Sequence, residues 1–149
     1  MKRVFIILAV LFVFSAISSV SAADAVEGYW KSVDEDGKAT AFWKFEVKGS
    51  TLYGYIVSYP DMKPSDTCEE CSGEWKDKPT VGTAWVKLQK RDSKGVWSNG
   101  YIIDSGKGKK YGAKVWVDGG KLQVRGSIGP IGRTQVWQRA TKEQAEKGF

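Results

Sequence analysis

The stretch between Trp97 and Arg139 constrains the fold more than any other part of the chain. Short runs rich in Val, Ile, Tyr, Trp and Thr (Trp97 to Asp104, Tyr111 to Val117, Lys121 to Gly129, Arg133 to Arg139) alternate with clusters of Gly, Asp, Ser and Lys. β-branched and aromatic residues suit a pleated, half-buried strand, and Gly and Asp supply the backbone angles of tight turns. Four strands joined by turns this short have to run antiparallel, because a parallel return needs a crossover of a dozen or more residues.

The same rhythm extends upstream. Gly28 to Val33 reads as a first strand, followed by the turn Asp34-Glu35-Asp36-Gly37. In the second strand Ala39, Ala41, Trp43, Phe45 and Val47 share one parity, while Thr40, Lys44 and Glu46 share the other, with Phe42 breaking the pattern. Period two marks one buried face. Thr51 to Ser58 is apolar or aromatic on both faces, as expected of a strand covered on both sides or lining a cavity. Thr83 to Lys90 completes a set of eight. Eight antiparallel strands in meander order remove their exposed edges by closing into an up-and-down β-barrel, which side chains can fill or which can hold one small ligand. A two-sheet sandwich is the competing architecture, disfavoured by the short turns. Beyond the strands, Thr141 as N-cap and Gln144 three residues on form a capping-box signature, and Gly148 stops the short helix of residues 141–147.

Met1-Lys2-Arg3, the apolar run Val4 to Phe14 and the small residues ending at Ala22 have the anatomy of a secretory signal peptide, so residues 1–22 are expected to be removed. The apolar core is shorter than the roughly 20 residues a membrane span requires, and no stable membrane anchor is expected after cleavage. The barrel domain then occupies residues 23–140 and the helical tail residues 141–149. The formal net charge is +6, of which Lys2 and Arg3 supply two, leaving a mild +4 on the exported part. The 17 acids are interspersed with the bases, which argues against a nucleic-acid surface. The chain has no His, which removes the usual general base and the commonest metal ligand.

Residues 59–81 form the one long irregular segment and hold three of the four prolines and both cysteines. In an exported protein Cys68 and Cys71 are expected to form a disulfide. Glu69 and Glu70 between them disfavour a reactive thiolate, and a zinc site would need soft ligands that the chain does not contain. Long loops inside a compact domain are usually functional or tied down, so this one is expected to act as a lid over one mouth of the barrel.

The seven Trp and six Tyr residues suit either a filled core or an aromatic-lined cavity. Strand parity groups Tyr101 and Ile103 with Trp97 and Asn99, and Tyr111 with Ala113, Val115 and Val117. Among the polar residues of the last strands, Asp104, Lys114, Arg125 and Arg133 are either cross-strand ion pairs or, if they point inward, partners for a charged ligand group. Tyr101, Asp104, Tyr111, Lys114, Arg125, Arg133 and Gln135 are therefore the candidate ligand-binding residues. No two carboxylates are placed by a recognisable catalytic motif, so the expectation is a binding protein without cofactor or metal rather than an enzyme. It would be exported to the periplasm or the medium, with a small apolar or lipid-like ligand as partner. The alternative is a barrel filled solid that serves as a protein-interaction or cell-envelope module.

Several blocks together, Gly28-Tyr29-Trp30, Gly54 to Val57, Pro79 to Gly82, Trp97 to Tyr111 with Asp104 and Gly108, Leu122 to Gly129, and Arg133 to Arg139, resemble the bacterial exported family called domain of unknown function 2147. The resemblance spans nearly all of the exported part and implies a lipocalin-like barrel with no established activity. It also implies that the Gly-x-Trp spacing of Gly28 and Trp30 marks a plugged end, with the Trp covered by an Arg of the last strand. Arg139 is expected in that role, since an antiparallel partner brings the end of the last strand to the start of the first.

Overall fold

A computed structural model describes residues 23–149, so the expected signal peptide lies outside the described residues. The strands are β1 (Gly28–Val33), β2 (Ala39–Lys48), β3 (Thr51–Ser58), β4 (Ala84–Arg91), β5 (Trp97–Asp104), β6 (Lys109–Asp118), β7 (Lys121–Ile128) and β8 (Ile131–Ala140), followed by helix α1 (Lys142–Lys147). Each strand pairs antiparallel with the next, and β8 returns to β1, so the sheet is a closed eight-stranded barrel. The meander expected from the turns is the meander observed, and the sandwich is excluded by the β1–β8 pairing.

Alternation decides what fills the barrel. Trp43 and Phe45 of β2, Leu52 and Ile56 of β3, Val86 and Leu88 of β4, Val115 of β6, Leu122 and Val124 of β7, and Trp137 of β8 are all buried and belong to one apolar cluster. The registers place these side chains in facing rows, such as Val115 opposite Val124 and Leu122 opposite Trp137. Phe42, which breaks the alternation of β2, faces outward and is covered. Helix α1 lies over it, with Ala145 buried against Phe42, Ala140, Tyr29 and Val57. The Ser58 hydroxyl donates to the Ala145 carbonyl at 2.7 Å, and the Phe149 ring sits 5.3 Å from Phe42. Thr141 and Gln144 exchange both bonds of the capping box, which starts this short helix where β8 ends.

The chain enters from below the start of β1 and closes that end. Trp30 is fully buried there, and its indole N–H donates to the Val26 carbonyl at 2.8 Å. Arg139 is the register partner of Trp30, and its guanidinium carbon lies 3.6 Å from the centroid of the indole. The guanidinium also donates to the carbonyls of Glu27 and Ala25, at 2.8 and 2.9 Å. Opposite, the Glu27 carboxylate accepts from the Val47 amide at 2.8 Å and binds the entry segment to β2.

Register shifts interrupt the β1–β2, β2–β3, β3–β4 and β5–β6 ladders, and the last of these changes which residues face the barrel interior. Trp97 pairs with Val115 and Tyr101 with Gly112, so β5 carries one extra residue between them relative to β6, and Asn99 sits at φ 58° within that step. This bulge turns Tyr101 and Ile103 to the outer face and Ile102 to the inner one, correcting the expectation that Tyr101 and Ile103 share a face with Trp97. Gly100 makes it feasible, because a Cβ there would lie 1.8 Å from the Lys87 carbonyl oxygen.

Truncating Trp30 to Ala should cost about 3–5 kcal/mol in denaturant unfolding, as a large-to-small change in a packed core. Arg139→Lys should also destabilise, because an ammonium cannot stack flat on the indole while reaching two carbonyls. A double-mutant cycle between the two positions is expected to return a coupling of about 0.5–2 kcal/mol.

Candidate functional site

The end opposite Trp30 is hollow. Here the connections β1–β2, β3–β4, β5–β6 and β7–β8 surround a cup of about 970 Å³, open to solvent. That volume falls in the range of small-molecule sites. Its floor is aromatic: the Trp43 and Trp137 rings lie 5.1 Å apart at 31°, with Phe45 beneath them at 6.3 and 6.2 Å. Ala41, Ile56, Ile102 and Val124 form the apolar lower wall. Small residues at Ala41 and Gly126 leave the space that the larger side chains of the closed end occupy.

The polar atoms of the floor are already engaged. The Trp43 indole N–H donates to the Ser32 hydroxyl at 3.2 Å, and Ser32 is itself 2.7 Å from the Thr40 hydroxyl. The Trp137 indole N–H donates to the Gln135 side-chain oxygen at 2.9 Å. Satisfying these groups within the protein fixes both rings and leaves the amide nitrogen of Gln135, a residue of the cup lining, without a hydrogen-bond partner among the described residues.

Four of the seven candidate residues line this cup: Asp104, Tyr111, Arg133 and Gln135. Tyr111 is the register partner of Ile102, Gln135 of Val124 and Arg133 of Gly126, so they stand on the inner face of β6 and β8. Asp104 is at the rim, where its carboxylate accepts from the Gly106 and Lys107 amides at 3.1 Å each and shapes the β5–β6 turn. Arg133 pairs with Glu35 of the β1–β2 turn, both side chains being largely exposed. The other three do not belong to the cup. Tyr101 is turned outward by the bulge and packs edge-on against Trp75, with the Lys110 ammonium 4.6 Å from its ring centroid. Lys114 and Arg125 face each other on the outer wall. Parity on β6 and β7 puts them there, since their neighbours Val115 and Val124 point inward. Trp43, Trp137, Ile56 and Ile102 are site residues that the polar-residue search passed over. The inward parity of Trp43 was readable, but its height along the barrel was not.

Residues 59–83 form one wall of the cup rather than a cover over its mouth. The Cys68–Cys71 disulfide packs in the core cluster with Trp85 and Ile103, on the outside of β4 and β5. The Trp85 indole N–H donates to the Thr80 carbonyl at 2.7 Å. Glu70 and the β5–β6 turn meet at Gly108, where a Cβ would lie 1.9 Å from the Glu70 carbonyl oxygen and φ is +62°. On the cup side the Tyr59 phenol donates to the Asp66 carboxylate at 2.5 Å, and Asp66 also accepts from the Lys63 amide at 2.9 Å. Burial, followed by the hydrogen bond to Asp66, pushes the Tyr59 phenol up to about 12, against an opposing contribution from Thr80. The Tyr59 hydrogen bond and then the Lys63 amide hold the Asp66 carboxyl below its ordinary value. Among the described residues no group of three or more His, Cys, Asp and Glu side chains is placed to hold a metal ion.

The family model described as an uncharacterized protein conserved in bacteria (DUF2147) matches residues 28–139. No curated protein matches the chain. Among solved structures, one described as protein HP1028 from the human pathogen Helicobacter pylori, belonging to the lipocalin family, is similar in fold. It is 19% identical, with a TM-score of 0.65 over 78% of this chain and 84% of that one.

Two measurements test the wall. Gly108→Ala should displace the segment from the β5–β6 turn and lower the unfolding midpoint, while amide exchange rises in residues 66–80 ahead of the barrel strands. The raised Tyr59 value favours the folded state in full below pH 10.0, and this contribution is lost as pH climbs to about 12. Absorbance titration, taken as wild type minus Tyr59→Phe, should show this phenol ionising near pH 12, and Asp66→Asn should move it downward.

Proposed function

The chain belongs to the DUF2147 family, and from that premise and the cup we propose that it is a binding protein for a small apolar or amphipathic molecule. The observation that carries this reading is the pairing of an aromatic floor with a polar rim. An apolar chain or ring set on Trp43 and Trp137 is removed from water, and a polar head reaches the Gln135 amide, the Tyr111 hydroxyl and the Thr40 hydroxyl above them. A barrel filled solid from end to end would have no such cup. The lipocalin-like fold is consistent with small-ligand binding.

The disulfide supports a location outside the reducing cytoplasm, and export through the sequence at residues 1–22 fits it. The role read here is carriage rather than catalysis: of the four carboxylates lining the cup, Asp66 and Asp104 are committed to local hydrogen bonds that shape the rim, and Glu69 and Glu70 have no His in the chain to serve as an acid–base partner.

Tryptophan emission should respond to ligand, since two of the indoles form the floor. Laurate and a lysophosphatidylcholine are suitable probes, and at least one is expected to give a saturable change. Ala41→Phe, which projects a ring into the cup, should weaken that binding by about tenfold or more while leaving the barrel folded. Absence of saturable binding by either probe, together with no co-purifying molecule in native mass spectra of protein from its own host, would overturn the reading.

A further inference from the structure

The most exposed large apolar side chains among the described residues are Ile128, at 61%, and Ile131, at 79%. They face each other across the β7–β8 turn, with Gly129 and Pro130 between them. The turn stands at the open end of the barrel, and the strands leading from it supply Gly126, Arg133 and Gln135 to the cup. A two-residue turn has no use for an isoleucine on either side, and neither side chain is buried against the barrel. The pair is an apolar point projecting into water beside the mouth of the site.

The wall behind this point is cationic. Lys114 is the register partner of Arg125 on the outer face, and the Arg125 guanidinium extends the other way, over Gly132 of β8, where it donates to the Thr134 hydroxyl at 3.4 Å. Lys110 of the neighbouring strand β6 continues this outer face with its ammonium over the Trp75 and Tyr101 rings, and Lys109 before it stands at the rim opposite Asp104. On the outer face of β6, β7 and β8 no carboxylate stands beside Lys114 and Arg125: Gly112, Trp116, Gln123, Ser127, Gly132, Thr134 and Val136 are the other residues of that parity there, and Asp118 is at the far end of β6. The acids of the open end are otherwise placed or engaged. Asp104 binds its own turn, Glu35 pairs with Arg133, Asp66 is held by Tyr59, and Glu69 and Glu70 lie on the residue 59–83 wall.

We propose that the β7–β8 tip is a docking point for an anionic lipid surface, with Ile128 and Ile131 entering the interface and Lys109, Lys110, Lys114 and Arg125 meeting headgroup phosphates. Apolar insertion and attraction between cations and anionic lipid are the two contributions that hold a peripheral protein on a bilayer, and here strands β6 to β8 carry both: Ile128 and Ile131 at the β7–β8 tip, on the parity of Gly126 and Arg133, and Lys114 and Arg125 on the outer face behind it. Docked this way, the barrel sets its mouth against the source of an amphipathic ligand. The purpose rests on the reading of the cup given above, but the docking itself is measured without reference to it.

The experiment is co-sedimentation with vesicles of phosphatidylcholine alone or mixed with phosphatidylglycerol. The protein should sediment with the mixed vesicles and be released by salt. The double variant Ile128→Ser, Ile131→Ser should lose about tenfold or more of that partition. Lys114→Gln with Arg125→Gln should lose binding to the mixed vesicles and the salt dependence with it. Circular dichroism and a vesicle-free laurate titration check that both variants keep the fold and the cup. Equal binding by the isoleucine variant, or no binding of the wild type to either vesicle, overturns the proposal. So does a wild-type dimer in sedimentation equilibrium that the isoleucine variant converts to monomer, because the tip would then be covered by a second copy. If wild type binds vesicles but neither laurate nor lysophosphatidylcholine, and no molecule co-purifies with it, docking stands and the reading of the cup falls.

Discussion

Closure of β8 onto β1 is the contact on which the rest of the molecule depends. A seven-turn meander without it would present two unpaired edges, and the seam that removes them is short, running only from Tyr29 opposite Ala140 to Lys31 opposite Gln138. The protein reinforces it on both sides of the sheet. Inside, Trp30 fills the end of the barrel and Arg139 covers it, while the guanidinium reaches back to the carbonyls of the entry segment. Outside, α1 lies across the same seam with Ala145 against Tyr29 and Ala140. A six-residue helix has little stability of its own, so it forms because the capping box starts it and Phe42 and Val57 give it an apolar bed. An unusual residue choice in β2 is thereby explained by an element a hundred residues away.

Having one secure end lets the other be hollow. The closed half packs Trp30, Phe45, Leu52, Leu88 and Leu122 to nearly complete burial. Towards the mouth the inward positions become Ala41, Ser32 and Gly126, and the removed volume becomes the cup. Trp43 and Trp137 form the boundary: their lower faces pack on Phe45 and their upper faces belong to the site. Because both indole N–H groups are bonded within the protein, the floor keeps its shape when empty, and a ligand meets a surface that does not need to be reordered.

Strand and turn chemistry made most of the architecture legible. The alternation of β2, the Gly-rich turns and the capping box at Thr141 are local signals, and each reports a local outcome. Arg139 against Trp30 follows from the same logic once closure is assumed, since antiparallel pairing fixes which end of β8 meets β1. What was not legible depended on counting residues along a ladder. One inserted residue near Asn99 reverses the facing of Tyr101, and nothing in the side chains of Trp97 to Asp104 announces where the insertion falls. Lys114 and Arg125 were ambiguous for a different reason: charge says nothing about facing, and only the buried neighbours Val115 and Val124 decide it. The residue 59–83 segment was recognisable as tied down, but whether it would lie over the mouth or beside it depended on the outward pocket formed by Trp85 and Ile103.

The rim shows what kind of head group the cup can accept. Its free donors without rearrangement are the Gln135 amide nitrogen and the Tyr111 hydroxyl, while the Thr40 hydroxyl, which donates to Ser32, offers an acceptor, and this set suits a neutral, hydrogen-bonding head. Arg133 would strengthen the site for a carboxylate or phosphate, but it is paired with Glu35. That pair is exposed on both sides, so breaking it costs little, and an anionic head placed deeper among the Gln135 and Tyr111 donors would compete for the guanidinium from a drier position. For a cationic head, Glu35 is neutralised by Arg133, and Asp66 and Asp104 are spent on Tyr59 and the β5–β6 turn, which leaves Glu69 and Glu70 of the residue 59–83 wall. The rim is therefore mixed in charge, with Lys63, Lys107 and Arg133 set against Glu69 and Glu70, and Glu35, outside the strands altogether, decides whether Arg133 is available to an anionic head.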